Sequence, residues 1–144
     1  MIEGVKVTPL KIIETDGGNV MHAMKNSDPG FTGYGEAYFS IIEPGKIKAW
    51  KKHKKMTLNL VVPVGEIQFV IYDDRNSEEE GDFQNIVLSR TNYCRLTVPP
   101  GVWMGFMGLS ETNAILLNIA DIPHDPNEVD RKNIDDIRYE WSGK

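Results

Sequence analysis

The stretch Glu66-Ile67-Gln68-Phe69-Val70-Ile71-Tyr72 decides the fold class. Successive side chains of a strand point to opposite faces, so Ile67, Phe69 and Ile71 share one face and Gln68, Val70 and Tyr72 the other. Both faces are substantially apolar, which suits an inner strand with one face lining a barrel and the other meeting a second layer or a second subunit. Outward from this segment, Val5 to about Ile119 is a series of short β-branched and aromatic runs punctuated by Gly, Pro, Asn and Asp. Strands are expected near Lys6–Ile13, Asn19–Met24, Glu36–Ile42, Lys46–His53, Thr57–Val62, Glu66–Tyr72, Gln84–Leu88, Tyr93–Val98, Trp103–Phe106 and Ala114–Ala120. Turn chemistry falls at Pro44-Gly45, Gly65, Asp73-Asp74 through Gly81 and Pro99-Pro100-Gly101. Roughly ten short strands at this spacing read as an all-β jelly roll, a β-sandwich or barrel. The acidic Ser77-Glu78-Glu79-Glu80-Gly81 reads as a solvated hairpin tip.

After Ile122 the character changes. Pro123, Pro126 and a charged run lead to Ile134, Ile137, Tyr139 and Trp141, the pattern of a short tail docked on the barrel by its terminal aromatics. Asp125-Pro126-Asn127-Glu128 is suited to capping one or two helical turns. With 144 residues, 40% of them hydrophobic and 26% charged, the chain has the size and composition of one globular domain spanning residues 1–144. Its net charge of −5, from 21 acidic against 16 Lys and Arg residues, provides no field for a nucleic-acid polymer. No apolar run approaches the ~20 residues of a membrane-spanning helix, so no membrane partner is expected. A single cysteine, Cys94, and a start at Met1 without a signal-peptide core point to the cytoplasm.

The one basic run is Lys48, Lys51, Lys52, Lys54 and Lys55 around His53. On a regular strand Ala49, Lys51 and His53 face one way and Lys48, Trp50 and Lys52 the other. A lysine in a partly apolar barrel loses part of its preference for the charged form, which makes Lys51 a candidate base or, with an anion bound, a charge partner. His53 is the second candidate catalytic residue, because imidazole exchanges protons near neutral pH. No carboxylate that would orient His53 is evident, which leaves a structural, hydrogen-bonded role open. Trp50 and Trp103 offer rings for stacking on a base or sugar, or for filling a core or subunit interface. Arg75, directly after Asp73-Asp74, reads as an ion-pair residue at a hairpin or dimer edge.

Gly45 and the segment Lys48-Ala49-Trp50-Lys51-Lys52-His53 through Gly65, followed by Pro99-Pro100-Gly101-Val102-Trp103-Met104, resemble the skeleton of the two cupin motifs. The ligand positions of metal-binding cupins fall on Lys51-x-His53 and Met104, with no Glu, so no metal site is assigned and no cofactor is expected. A narrower resemblance covers almost the whole chain. Glu3-Gly4-Val5-Lys6-Val7-Thr8-Pro9-Leu10, Lys48-Ala49-Trp50, Tyr72-Asp73-Asp74-Arg75, Pro99-Pro100-Gly101-Val102, Gly105-Phe106 and Ile137-Arg138-Tyr139-Glu140-Trp141 are similar to the dTDP-4-dehydrorhamnose 3,5-epimerase family, particularly its short members. The resemblance implies a cupin-type homodimer that binds a deoxythymidine-diphospho-sugar inside the barrel and inverts carbons beside a 4-keto group. Within it the base histidine falls on Lys51, the second histidine on Met104 and the acid tyrosine on Asn118. A lysine falls near Asn59, and the loop arginine that contacts phosphate across the dimer falls on Gly17 or is absent. The expected substrate-binding set is therefore Lys48, Lys51, Asn59, Trp103, Met104 and Asn118.

A thioether at Met104 and an amide at Asn118 do not exchange protons near neutral pH. Three readings stay open on the sequence. The chain is a sugar-nucleotide epimerase or isomerase with a rebuilt site in which Lys51 or His53 takes the proton; or a non-catalytic binder of a sugar nucleotide or similar small anion; or a structural protein whose barrel is closed by Met104, Leu116 and Leu58.

Overall fold

The structure is a computed structural model that describes residues 1–76, 78 and 80–141. Ser77 and Glu79 of the expected acidic hairpin tip lie outside the described residues. The strands are β1 (Lys6–Pro9), β2 (Ile12–Thr15), β3 (Gly18–Met21), β4 (Glu36–Ile42), β5 (Ile47–His53), β6 (Leu58–Val64), β7 (Glu66–Asp73), β8 (Asp82–Ser89), β9 (Cys94–Val98), β10 (Trp103–Gly108), β11 (Ala114–Ala120) and β12 (Val129–Arg131). They build two five-stranded antiparallel sheets, in the orders β1-β9-β6-β11-β4 and β12-β5-β10-β7-β8, and a separate β2-β3 ribbon. The expected strand Lys6–Ile13 is two strands. Its first half pairs with β9 and its second with β3, so Leu10 and Lys11 form the break between two sheets. The strand β12 had no counterpart in the sequence reading, because its three residues are held by pairing with β5 rather than by a hydrophobic pattern of their own.

Alternation places the core. Ile67, Phe69 and Ile71 are fully buried between the sheets together with Leu60, Val62, Leu96 and Leu116. The opposite face of β7 is buried as well, and its cover is the chain's own tail: Val70 packs with Trp50, Trp103, Met107, Ile137 and Trp141. Trp141 stands 5.6 Å from the Trp50 ring and 5.1 Å from that of Tyr139, within the range of favourable aromatic pairs. The tail begins with a 3₁₀ turn at Pro126–Glu128, which Asp125 caps by accepting from the Asn127 backbone N–H at 3.0 Å.

Between β6 and β7 the chain crosses from the first sheet to the second through one residue, Gly65. Its φ of 83° lies in the left-handed region, and a Cβ there would stand 2.7 Å from that of Ala114. Glycine meets both constraints where a side chain would strain the corner.

Candidate functional site

Between the sheets, where β4 and β11 of the first face β5 and β12 of the second, lies a cavity of about 660 Å3. It excludes a barrel filled by its own side chains. Met104 and Leu58 line it without closing it, while Leu116 sits in the buried core. Leu58, Val98, Val102, Met104 and Phe106 give it an apolar surface, against which the polar groups stand out.

The second sheet supplies the cations. In its register Met104 opposes Lys51 and Phe106 opposes Lys48, so β5 has one more residue than β10 between these pairs and carries a β-bulge. The sequence reading, which assumed regular alternation, placed Lys48 on the face opposite Lys51. The bulge corrects this. Lys48, Lys51 and His53 all line the cavity, whereas Lys52 turns outward with Nζ 4.9 Å from the Trp103 ring. Arg131 pairs with Lys51 across β12 and joins them. Desolvation, followed by the charges of Arg131 and Lys48, holds the Lys51 amine below its usual range. Solvent still reaches Lys51 through the open mouth.

His53 has the carboxylate that was not evident from the sequence. Its Nδ1 lies 2.6 Å from Glu128 Oε1, and Glu128 is only 5% exposed. The other oxygen, Oε2, accepts the backbone N–H groups of Lys55 at 3.0 Å and Met56 at 2.9 Å. Burial is the largest influence on this carboxyl and pushes its pKa up. The hydrogen bond from His53, the two backbone donors and the attraction of His53 together outweigh burial and hold Glu128 below the usual value. An ionised Glu128 accepts the Nδ1 proton, which fixes the tautomer and leaves Nε2 as the free acceptor.

The first sheet supplies a phenol. Tyr38 of β4 lines the cavity beside its cross-strand partner Asn118 of β11. Desolvation, then the charge of Glu36, raises the Tyr38 pKa, so it holds its proton at neutral pH. The Asn118 amide nitrogen donates to Ser40 Oγ at 3.0 Å and the Tyr38 carbonyl at 3.4 Å, bracing the strand that carries the phenol. Imidazole and phenol therefore face the cavity from opposite sheets.

Two expected binding residues lie elsewhere. Asn59 is on the outer face of the first sheet, donating to the Gly30 carbonyl at 3.0 Å and accepting from Thr97 Oγ1 at 2.6 Å. Its neighbours Leu58 and Leu60 take the inner face. Trp103 belongs to the cluster under the tail, with Nε1 donating to Asp74 at 3.2 Å. Trp103 opposes the outward Lys52, which puts both on the outside of the barrel. Arg75 pairs with Asp73 at 2.8 Å, as its position in the sequence suggests. The sequence reading missed Tyr38, Glu128 and Arg131. Tyr38 had a signal, since alternation from buried Ile42 through Ser40 brings it to the inner face. Glu128 and Arg131 had none.

Among the described residues, no group of three or more His, Cys, Asp or Glu is placed to hold a metal ion. Nor is any helix among them long and apolar enough to cross a membrane.

Two antiparallel sheets packed face to face around an open, polar-lined cavity define a cupin-type jelly roll. No family model matches the chain. It is 31% identical to the spore coat polysaccharide biosynthesis protein SpsL of Bacillus subtilis, over 99% of this chain and 97% of that protein. It is 39% identical to a dTDP sugar isomerase from Desulfovibrio desulfuricans, whose crystal structure superposes with a TM-score of 0.93 and matches 99% of this chain and 94% of the other. The dTDP-4-dehydrorhamnose 3,5-epimerase of Elizabethkingia anophelis has the same fold, with a TM-score of 0.80 at 19% identity over 96% of this chain and 81% of that one. The chain belongs to the family of SpsL and this dTDP sugar isomerase, and it shares its fold with dTDP-4-dehydrorhamnose 3,5-epimerase.

Proposed function

We propose that this protein isomerises or epimerises a dTDP-linked 4-keto-6-deoxyhexose in deoxysugar or surface-polysaccharide biosynthesis. The observation that carries the reading is the His53–Glu128 pair, 2.6 Å apart, in a cavity whose facing wall bears Tyr38. A ketone acidifies the C–H bonds beside it. His53 Nε2 takes one such proton, Glu128 steadies the imidazolium that forms, and Tyr38 returns a proton from the other side. Lys48 and Arg131 hold the diphosphate, and Lys51 sits between them and the reacting carbons. Asn118 and Met104 shape the sugar-binding wall. The names of the relatives, a dTDP sugar isomerase and a polysaccharide biosynthesis protein, support this substrate class.

Incubation with dTDP-4-keto-6-deoxyglucose in deuterated water should place deuterium at a carbon beside the ketone, followed by proton NMR. His53→Asn should slow this by about 100-fold or more, the usual contribution of a general base. Tyr38→Phe should retain exchange while losing net conversion. No exchange above buffer at high protein concentration overturns the reading. The cation cluster equips the cavity to hold a diphosphate without turnover, and calorimetric binding with no exchange would leave that binding function in its place.

The same reading includes a cytoplasmic homodimer. A single, buried, unpaired Cys94 supports the reducing compartment. Exposed Phe39, Ile41 and Val64 on the outer face of the first sheet support a second copy as the cover of that face.

A further inference from the structure

We propose that Lys51 is a covalent catalyst, its amine forming an imine with the sugar ketone in this cavity. The inference rests on the keto-sugar reading above and assigns Lys51 a role that reading does not require. Three observations lead to it. Lys51 is fixed on the inner wall by cross-strand pairing to Met104 on one side and Arg131 on the other. His53 lies two residues along the same strand and lines the same cavity, so an acid–base group stands beside the amine. Among the described residues no carboxylate lies within ion-pairing distance of Lys51, whereas His53 is paired to Glu128 and the rim carboxylate of Asp136 accepts the Asn133 backbone N–H at 2.9 Å. A cation with two cationic neighbours and no counter-charge favours its neutral, nucleophilic form, consistent with the lowered pKa of this amine.

The step balances with water as the only co-reactant. The Nζ lone pair forms a C–N bond to the carbonyl carbon as the C=O π bond breaks, and His53 passes a proton from the new ammonium nitrogen to the oxygen. The resulting hydroxyl takes a second proton, drawn from solvent and given back when the imine is hydrolysed, and leaves as water, giving a protonated imine. The positive nitrogen draws electron density from the neighbouring C–H bond, and His53 removes that proton to give a neutral enamine. Reprotonation at carbon and addition of one water then release the ketone and return the free amine. No oxidant or reductant is consumed.

The test is reductive trapping of the full-length protein with dTDP-4-keto-6-deoxyglucose and sodium cyanoborohydride, read by intact mass and peptide mapping. The expected product is a single adduct carrying the mass of the ligand less one oxygen atom, located on Lys51. Lys51→Arg keeps the charge but cannot form the imine. It should give no adduct and lower deuterium exchange by about 100-fold, with an unchanged melting temperature and retained calorimetric affinity for dTDP. Exchange by the wild-type protein without an adduct, an adduct on another lysine, or undiminished exchange in Lys51→Arg overturns the imine and leaves the keto-sugar reading intact. Absence of both exchange and adduct in the wild type overturns the two together.

Discussion

Glu128 shows how one side chain couples the site to the stability of the fold. Two backbone N–H groups and the His53 ring use both of its oxygens, so replacing it with Gln leaves one acceptor and sets an NH2 group against either the backbone N–H donors or the His53 Nδ1–H. Its folded-state pKa is lower than its ordinary value of 4.5, so the unfolded chain binds the proton more readily. The stability this carboxylate contributes is complete above that ordinary value and is lost as the pH falls through the lower folded value. Glu128→Gln should flatten the loss of melting temperature across that acid window, measured by circular dichroism from pH 6 downward in ~0.5 steps. It should also slow deuterium exchange by about 10–100-fold through loss of the His53 tautomer. A variant that matched the wild type in acid stability and in exchange would show that the carboxylate does neither.

Among the elements, the tail and the β5 bulge decide what reaches the cavity. The tail carries Glu128 and Arg131, yet it is held from the other side of the second sheet by Ile137 and Trp141. A Cβ on Gly105 would come within 3.2 Å of both the Trp141 and Trp50 rings, so the bare β10 backbone lets the tail dock this closely. Trp141→Ala should cost about 3–5 kcal/mol if the barrel and tail unfold as one unit. If the tail releases by itself, the melting temperature should fall little while dTDP affinity falls with the displacement of Arg131. Chemical denaturation and calorimetry on the same variant distinguish these, and a variant unchanged in both would sink the docking argument. The strands β4, β5, β7 and β11 were legible in the sequence as short β-branched and aromatic runs bounded by turn residues, with clear period-two alternation in β7. The bulge was not, since Lys48-Ala49-Trp50-Lys51 has no Gly and reads as regular alternation; only the register with β10 reveals the extra residue.

At the scale of the whole molecule, the exposed outer face of the first sheet is the feature one chain leaves unsatisfied. Ile41, Ile115 and Val64 form a row across β4, β11 and β6, next to Phe39 and Leu117. Phe39 is 67% and Ile41 53% exposed, beside the unpaired edge of β4. A dimer covering this row predicts that Phe39→Asp with Ile41→Asp converts the protein to a folded monomer, measured by light scattering and sedimentation; a wild type that is already monomeric overturns it. What the residues determined by themselves was the all-β class, the two-sided burial of Glu66–Tyr72 and the docking of the terminal aromatics, because period-two patterning and apolar runs act over a few neighbouring residues. The site itself came from the assembled sheets. His53 meets Glu128 across 75 residues, Tyr38 faces it from the opposite sheet, and Lys48 reaches the inner wall through a bulge. Those juxtapositions arise from strand register and sheet packing, which the order of residues along the chain does not display.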